Sequence, residues 1–157
     1  MLIRFSIITC SDTRSETQDT AGAALKELIA EQGWEVASYK LVKDEVSDIK
    51  AAIVDAVDNV VSDIVLTCGG TGLSLRDVTP EATMAVCERN VPGIAEAMRA
   101  ESLKVTPNAM LSRAVAMQRG KAVVINFPGS EKAARENWDA VVGALAHAVK
   151  MANGGGH

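Results

Sequence analysis

Aromatic side chains are scarce in this chain, 3% of 157 residues, and cysteine is rarer still. The three cysteines, Cys10, Cys68 and Cys87, are odd in number and show no Cys-x-x-Cys spacing. That excludes a disulfide framework or a thiolate zinc site and leaves three small buried thiols as the expectation. No apolar run is long enough to cross a bilayer, and Met1-Leu2-Ile3-Arg4-Phe5-Ser6 lacks the pattern of a secretory signal. The expectation is a cytoplasmic protein with no membrane partner. Positive charge is not in excess either: the formal net charge is −4, which argues against a nucleic-acid footprint. An anionic small ligand would then need backbone amides, a few basic side chains or a metal. Histidine occurs only at His147 and His157, and no motif places either beside a serine or cysteine. Nucleophilic hydrolysis through a Ser-His or Cys-His pair is therefore rejected.

What is present is a hydrophobic content of 48%, carried by Ala, Val, Ile and Leu. That is too much for a disordered chain and suits helices packed on a sheet. The length suits one domain with a sizeable core, read as residues 1–152 followed by a flexible tail, 153–157. The run from Leu2 to Thr9 reads as a buried strand, and Ser11 to Asp19 as a loop. Ala21, Leu25, Leu28 and Ile29 mark one helix face, with Gly33 as its C-cap. Val36 to Val42 is a more polar strand, placed near an edge. Ser47 is the expected cap of a helix whose face is Ile49, Ala52, Ile53, Ala56 and Val57.

Ile64 to Thr67 is a short apolar strand running into Gly69-Gly70-Thr71-Gly72. Thr79-Pro80-Glu81 signals a helix start with Thr79 as cap. Ile94, Ala97 and Met98 suggest another helix, and Val105 to Ser112 a loop. Ala114 to Met117 and Lys121 to Asn126 read as strands joined by a tight turn at Arg119-Gly120. A last helix starts near Ser130 and buries Trp138, Val141, Val142, Leu145 and Val149. Strands alternating with helices imply an α/β fold: a three-layer α/β/α sandwich around a mostly parallel, mixed central sheet.

In such sheets ligands bind beyond the carboxyl ends of the strands. Three small-residue segments leave those ends: Cys10-Ser11-Asp12, Gly69-Gly70-Thr71-Gly72 and Pro128-Gly129-Ser130. Small residues let main-chain amides approach a ligand, and a helix N-terminus favours phosphate. The glycine cluster lacks the Gly-Lys-Ser/Thr ending of a P-loop, and Leu75 stands where a dinucleotide fingerprint has its third glycine. A glycine-rich turn alone is as readily structural as functional. Arg76-Asp77 beside it reads either as a phosphate- and Mg²⁺-binding pair or as a surface ion pair. Asp44 and Glu45 read as solvent-facing acids unless their loop reaches the same edge, where Asp44 and Asp77 could share Mg²⁺.

The stretch from Gly69 through Asp77 and Thr79-Pro80-Glu81-Ala82-Thr83 closely resembles the MogA/MoaB group of molybdenum cofactor biosynthesis proteins. The likeness continues through Val91-Pro92-Gly93-Ile94-Ala95-Glu96, Ala109-Met110-Leu111-Ser112-Arg113 and Asn126-Phe127-Pro128-Gly129-Ser130. Upstream, Ser11-Asp12-Thr13-Arg14 and Asp19-Thr20-Ala21-Gly22 fit as well. Only the tail lies outside it. Lys43 precedes Asp44 where the family often has proline, Leu75 replaces another proline, and Phe127 a leucine; no charged group is lost.

The resemblance implies a mixed-sheet α/β protein that binds molybdopterin and ATP and assembles as a trimer, in some members a hexamer. It implies transfer of AMP from Mg-ATP to molybdopterin with release of pyrophosphate, and a downstream partner that inserts molybdate. The two functional aspartates of the family map to Asp44 and Asp77, which would also hold Mg²⁺. The glycine loop maps to Gly69, Gly70, Thr71 and Gly72. Ser112, Arg113, Pro128, Gly129 and Ser130 map to segments lining the pocket, and the strand-end residues Ser11 and Asp12 are read as binding residues beside them. One alternative is a non-catalytic molybdopterin-binding protein of the MoaB type; another is an unrelated nucleotide-binding α/β enzyme.

Overall fold

A computed structural model describes residues 1–156; His157 lies outside the described residues. One six-stranded sheet runs in the order β2-β1-β3-β6-β5-β4. Its strands are β1 (Arg4–Cys10), β2 (Glu35–Val42), β3 (Ile64–Cys68), β4 (Arg89–Asn90), β5 (Ala116–Arg119) and β6 (Ala122–Phe127). β2, β1, β3 and β6 are mutually parallel, while β5 and β4 run antiparallel to their neighbours. The helices are α1 (Thr20–Glu31), α2 (Val46–Asp58), α3 (Thr79–Val86), α4 (Pro92–Leu103) and α5 (Glu131–Ala152). The three-layer mixed-sheet architecture expected from the alternation is what forms.

Side-chain alternation along the strands sorts the core into two faces. Phe5, Ile7, Ile64, Leu66, Cys68, Val123, Ile125 and Phe127 face α1, α4 and α5. Ile8, Cys10, Val65 and Val124 face α2 and α3. Cys10 and Cys68 are therefore buried on opposite faces of adjacent strands, and all three thiols are free. Trp138 of α5 is 2% exposed and meets Phe5 and Trp34 edge-on or tilted, with ring centroids 6.0 and 6.3 Å away. Three of the five aromatic side chains are thus gathered in one place. No helix among the described residues is long and apolar enough to cross a membrane.

Several local expectations need correction. Ser47 does not cap α2: the helix starts at Val46 with Glu45 as N-cap, because the chain turns helical as soon as it leaves the anchored Asp44. Thr79 is the first residue of α3, not its cap. Its hydroxyl is taken, donating to the carbonyl of Gly69 at 2.9 Å. On α4 the buried residues are Ala95 and Met98, and Ala97 is exposed. The hairpin sits one to two residues later than read, with Gly120 at φ +56 opening the turn between β5 and β6. The two loops contain short 3-10 turns, Glu16–Gln18 and Pro107–Leu111. β4 carried no sequence signal, being two exposed polar residues paired only to β5. Beyond α5, the amides of Gly154 and Gly155 donate to the carbonyls of Met151 and Lys150, a Schellman turn made possible by φ +90 at Gly154.

Candidate active site

Because β2, β1, β3 and β6 are parallel neighbours, their carboxyl ends share one edge. Ser11, Asp44, Gly69 and Pro128 follow those ends directly or within two residues, so four segments remote in sequence converge there. This is the edge at which open α/β sheets bind ligands. The glycine loop, Pro-Gly segment and first βα loop line one hollow of about 370 Å³. Its walls include Thr9, Ser11, Thr13 and Arg14 from β1 and its loop, Gly69 to Gly72, Asp77 and Gly129.

The loop requires its glycines. Gly69 and Gly70 have φ of +95 and +71, in the left-handed region. A Cβ at Gly69 would also lie 2.7 Å from the carbonyl oxygen of Cys10. A Cβ at Gly70 would collide with the Thr79 hydroxyl and lie 3.3 Å from Asp44 Oδ1. The loop is fastened through its carbonyls. Thr79 Oγ1 donates to Gly69, the Thr79 amide to Gly70 at 3.2 Å, and the Arg113 amide to Thr71 at 2.8 Å. The amides of Gly70, Thr71, Gly72 and Gly129 donate to nothing among the described residues. Free amides around a hollow at strand ends form an anion-binding cradle.

Two carboxylates border that cradle. Asp77 lines the hollow beside Gly72, and its Oδ2 accepts from the Ser74 amide at 3.2 Å. Asp44 lies beside Gly70. Its Oδ2 accepts from the Asp12 amide at 3.0 Å, and its buried Oδ1 has no hydrogen-bond partner among the described residues. Burial, followed by the charge of Asp12, raises the pKa of Asp44, and the charge of Asp77 adds to this. The aspartates expected to share a cation thus border one glycine loop, Asp44 at Gly70 and Asp77 at Gly72. An orphaned carboxylate oxygen costs free energy unless a cation or proton meets it. Hard oxygen donors from two carboxylates beside a phosphate cradle fit Mg²⁺, which takes one or two carboxylates and completes its shell with phosphate and water. Among the described residues no three acidic, histidine or cysteine side chains form a closed metal cage.

The remaining expected residues divide by position. Asp12 is turned to the protein: it accepts both from the Asp44 amide and from Arg76, bidentate at 3.0 Å. Arg76 also pairs with Glu45 at 2.9 Å, so its partners are not its neighbour Asp77 but two loops across the edge. Ser11 Oγ accepts from the amides of Thr13 and Arg14 and shapes that turn. Arg113 grips the glycine loop. Its guanidinium donates to the carbonyls of Gly72 and Asp77 at 2.8 and 2.7 Å and pairs with Glu81 at 2.6 Å. Ser130 caps α5 through the Ala133 amide. Ser112 and Pro128 line a second, more apolar hollow of about 210 Å³ with Met98, Ala95, Asn108 and Asn137. Thr71 lines both hollows, so the two adjoin.

Sequence reasoning missed Thr13 and Arg14 as lining residues and Asp19 as a buried polar anchor. Asp19 caps α1 through the Gly22 amide at 2.9 Å and accepts from Thr9 Oγ1 and Tyr39 Oη at 2.5 and 2.7 Å. An aspartate just ahead of a small-residue helical run is an N-cap signal that was there to be read.

A family model described as Probable molybdopterin binding domain matches residues 6–147. The chain is 39% identical over 153 residues to the molybdopterin adenylyltransferase of Helicobacter pylori, covering 95% of this chain and 87% of that one. It is 42% identical over 135 residues to molybdenum cofactor biosynthesis protein B of Bacillus cereus, covering 85% and 80%. The crystal structure of the molybdopterin biosynthesis enzyme MoaB from Thermus thermophilus superposes with a TM-score of 0.90 at 46% identity, covering 98% of each chain.

Proposed function

Because the chain belongs to the MogA/MoaB family of molybdopterin-binding, molybdenum cofactor biosynthesis proteins, we propose that it is a molybdopterin adenylyltransferase. The observation that carries this reading is the pairing of a free-amide cradle with the two carboxylates Asp44 and Asp77 at one sheet edge. A phosphate oxygen of molybdopterin attacks the α-phosphorus of ATP. The bond from that phosphorus to the α,β-bridging oxygen breaks, and pyrophosphate leaves with its electron pair.

Such transfers depend on positioning and charge neutralisation rather than on a covalent protein intermediate. The attacking phosphate is already ionised near neutral pH, so no general base is required. The amides of Gly70, Thr71 and Gly72 hold phosphate oxygens. Asp44 and Asp77 would hold Mg²⁺, which supplies neutralisation of the triphosphate charge when bound. The apolar hollow around Met98, Ser112 and Pro128 has the character of a site for a heterocycle, a few polar groups in an apolar wall. Thr71, common to both hollows, stands where the two substrates would meet.

The same reading carries a single domain over residues 1–152, a trimer or hexamer, a cytoplasmic location and delivery of the product to a molybdate-inserting partner. The exposed apolar side chains Leu103, Val105, Met110 and Leu111 at one end of α4 support association between copies. The test of the activity is pyrophosphate release from Mg-ATP with and without molybdopterin. Release that requires molybdopterin supports it. Binding of molybdopterin with no release would move the chain to the non-catalytic branch of the family.

A further inference from the structure

The arginines near the site are not equivalent. Arg76 is neutralised by Asp12 and Glu45, and Arg113 is neutralised by Glu81 and committed to two loop carbonyls. Arg14 is different. Among the described residues it is the one cationic side chain lining the glycine-walled hollow, and it makes no ion pair with a carboxylate. Its backbone is set by the turn that Ser11 Oγ closes, and its Nη1 donates to the carbonyl of Gly129 at 2.5 Å. That bond ties the first βα loop to the Pro-Gly loop and holds the guanidinium at the rim. The other N–H groups of the planar fork have no protein acceptor among the described residues.

From this geometry we infer that Arg14 is a phosphate-binding residue, presenting its free N–H groups to the anion cradled by the amides of Gly70 to Gly72. The inference rests on the nucleotidyl-transfer reading above. A guanidinium anchored by a neutral carbonyl keeps its full charge for the ligand, unlike one already paired to a carboxylate. Arg14 and Asp77 line the same hollow, so it offers one cation for phosphate oxygens and one carboxylate for the counter-cation of the polyphosphate.

The test is calorimetric binding of Mg-ATP and of inorganic pyrophosphate, with molybdopterin binding followed by fluorescence, in wild type, Arg14→Gln and Arg14→Lys. A charge-assisted hydrogen bond predicts that Arg14→Gln weakens phosphate binding about tenfold or more and flattens its salt dependence. Arg14→Lys keeps the charge and loses less. Weakening confined to ATP and pyrophosphate assigns Arg14 to the nucleotide; weakening confined to molybdopterin assigns it to the pterin phosphate. Unfolding temperatures should barely move, since Arg14 is exposed and its side chain donates one hydrogen bond.

Wild-type-like binding of all three ligands by Arg14→Gln would overturn the inference and leave adenylyl transfer standing. Equal losses in Arg14→Gln and Arg14→Lys would point to the carbonyl contact rather than the charge, and would also overturn it. Failure of the wild type to bind either ATP or pyrophosphate would bring down both the inference and the reading it rests on.

Discussion

The main-chain amide of Asp12 donates to Asp44 Oδ2, and the main-chain amide of Asp44 donates back to Asp12 Oδ1, each at 3.0 Å. Two loops that follow neighbouring parallel strands are thereby locked carboxylate to amide. The lock fixes the Asp44 side chain with its second oxygen, Oδ1, buried beside Gly70 and unpartnered. The protein thus holds a carboxylate in a place where only a cation or a proton relieves it.

Asp44→Asn should make the protein more stable and less active. Burial is the first cause of the raised Asp44 pKa, so the folded value lies above the unfolded one. The stability linked to this group is fully present below its unfolded pKa and is lost as pH rises through its folded pKa. Removing the charge should therefore raise the unfolding temperature at neutral pH, with the gain shrinking in acid. Asp12 runs the other way. The hydrogen bond from Arg76, then that from the Asp44 amide, lowers its pKa, so its contribution is present above its unfolded pKa and fades as pH falls through the folded one. Turnover in Asp44→Asn should fall about a hundredfold or more, the scale for removing one preorganised electrostatic group. Thermal unfolding across pH and a pyrophosphate assay check both halves.

Arg113→Lys should impair the protein although charge is conserved. A lysine ammonium cannot reproduce the planar fork that serves Gly72, Asp77 and Glu81 together. The variant should lose about 2 kcal/mol of unfolding free energy, as hydrogen bonds to charged groups are worth. Its kcat should fall more than its KM for ATP rises, because the loop bearing Asp77 loosens. Denaturant unfolding and steady-state kinetics measure the two effects.

Much of this site was legible in the sequence because strand-end topology is. Strand runs separated by helical stretches implied parallel strands, and parallel strands put Ser11, Gly69 and Pro128 at one edge, while only the folded β2 loop brings Asp44 to join them. What sequence could not supply were pairings across long separations. Arg76 reads as the partner of Asp77 because they are adjacent, yet it reaches Asp12 and Glu45, since Asp77 is turned back onto Ser74 and Gly72. Arg113 reads as a pocket arginine, and only the folded loop reveals that its donors are consumed by carbonyls. Arg14 stood in plain view, but its value depends on having no carboxylate partner, which no local pattern encodes.

Val61→Gly should stabilise the fold without touching the site. Val61 follows α2 at φ +60 and is 65% exposed. A β-branched residue in the left-handed region is strained by about 1–2 kcal/mol, and an exposed side chain offsets little of it. Glycine removes the strain but costs some entropy in the unfolded chain, leaving a gain of about 1 kcal/mol. Thermal unfolding should shift upward with kcat and KM unchanged.

Adenylyl transfer itself is tested most directly by following the α-phosphorus of ATP. With Mg²⁺, molybdopterin and α-labelled ATP, the account predicts that the label moves to the pterin in equal amount to the pyrophosphate released, and that Asp77→Ala abolishes both. Label that stays in ATP while molybdopterin is bound, or that appears as free AMP regardless of molybdopterin, would contradict it.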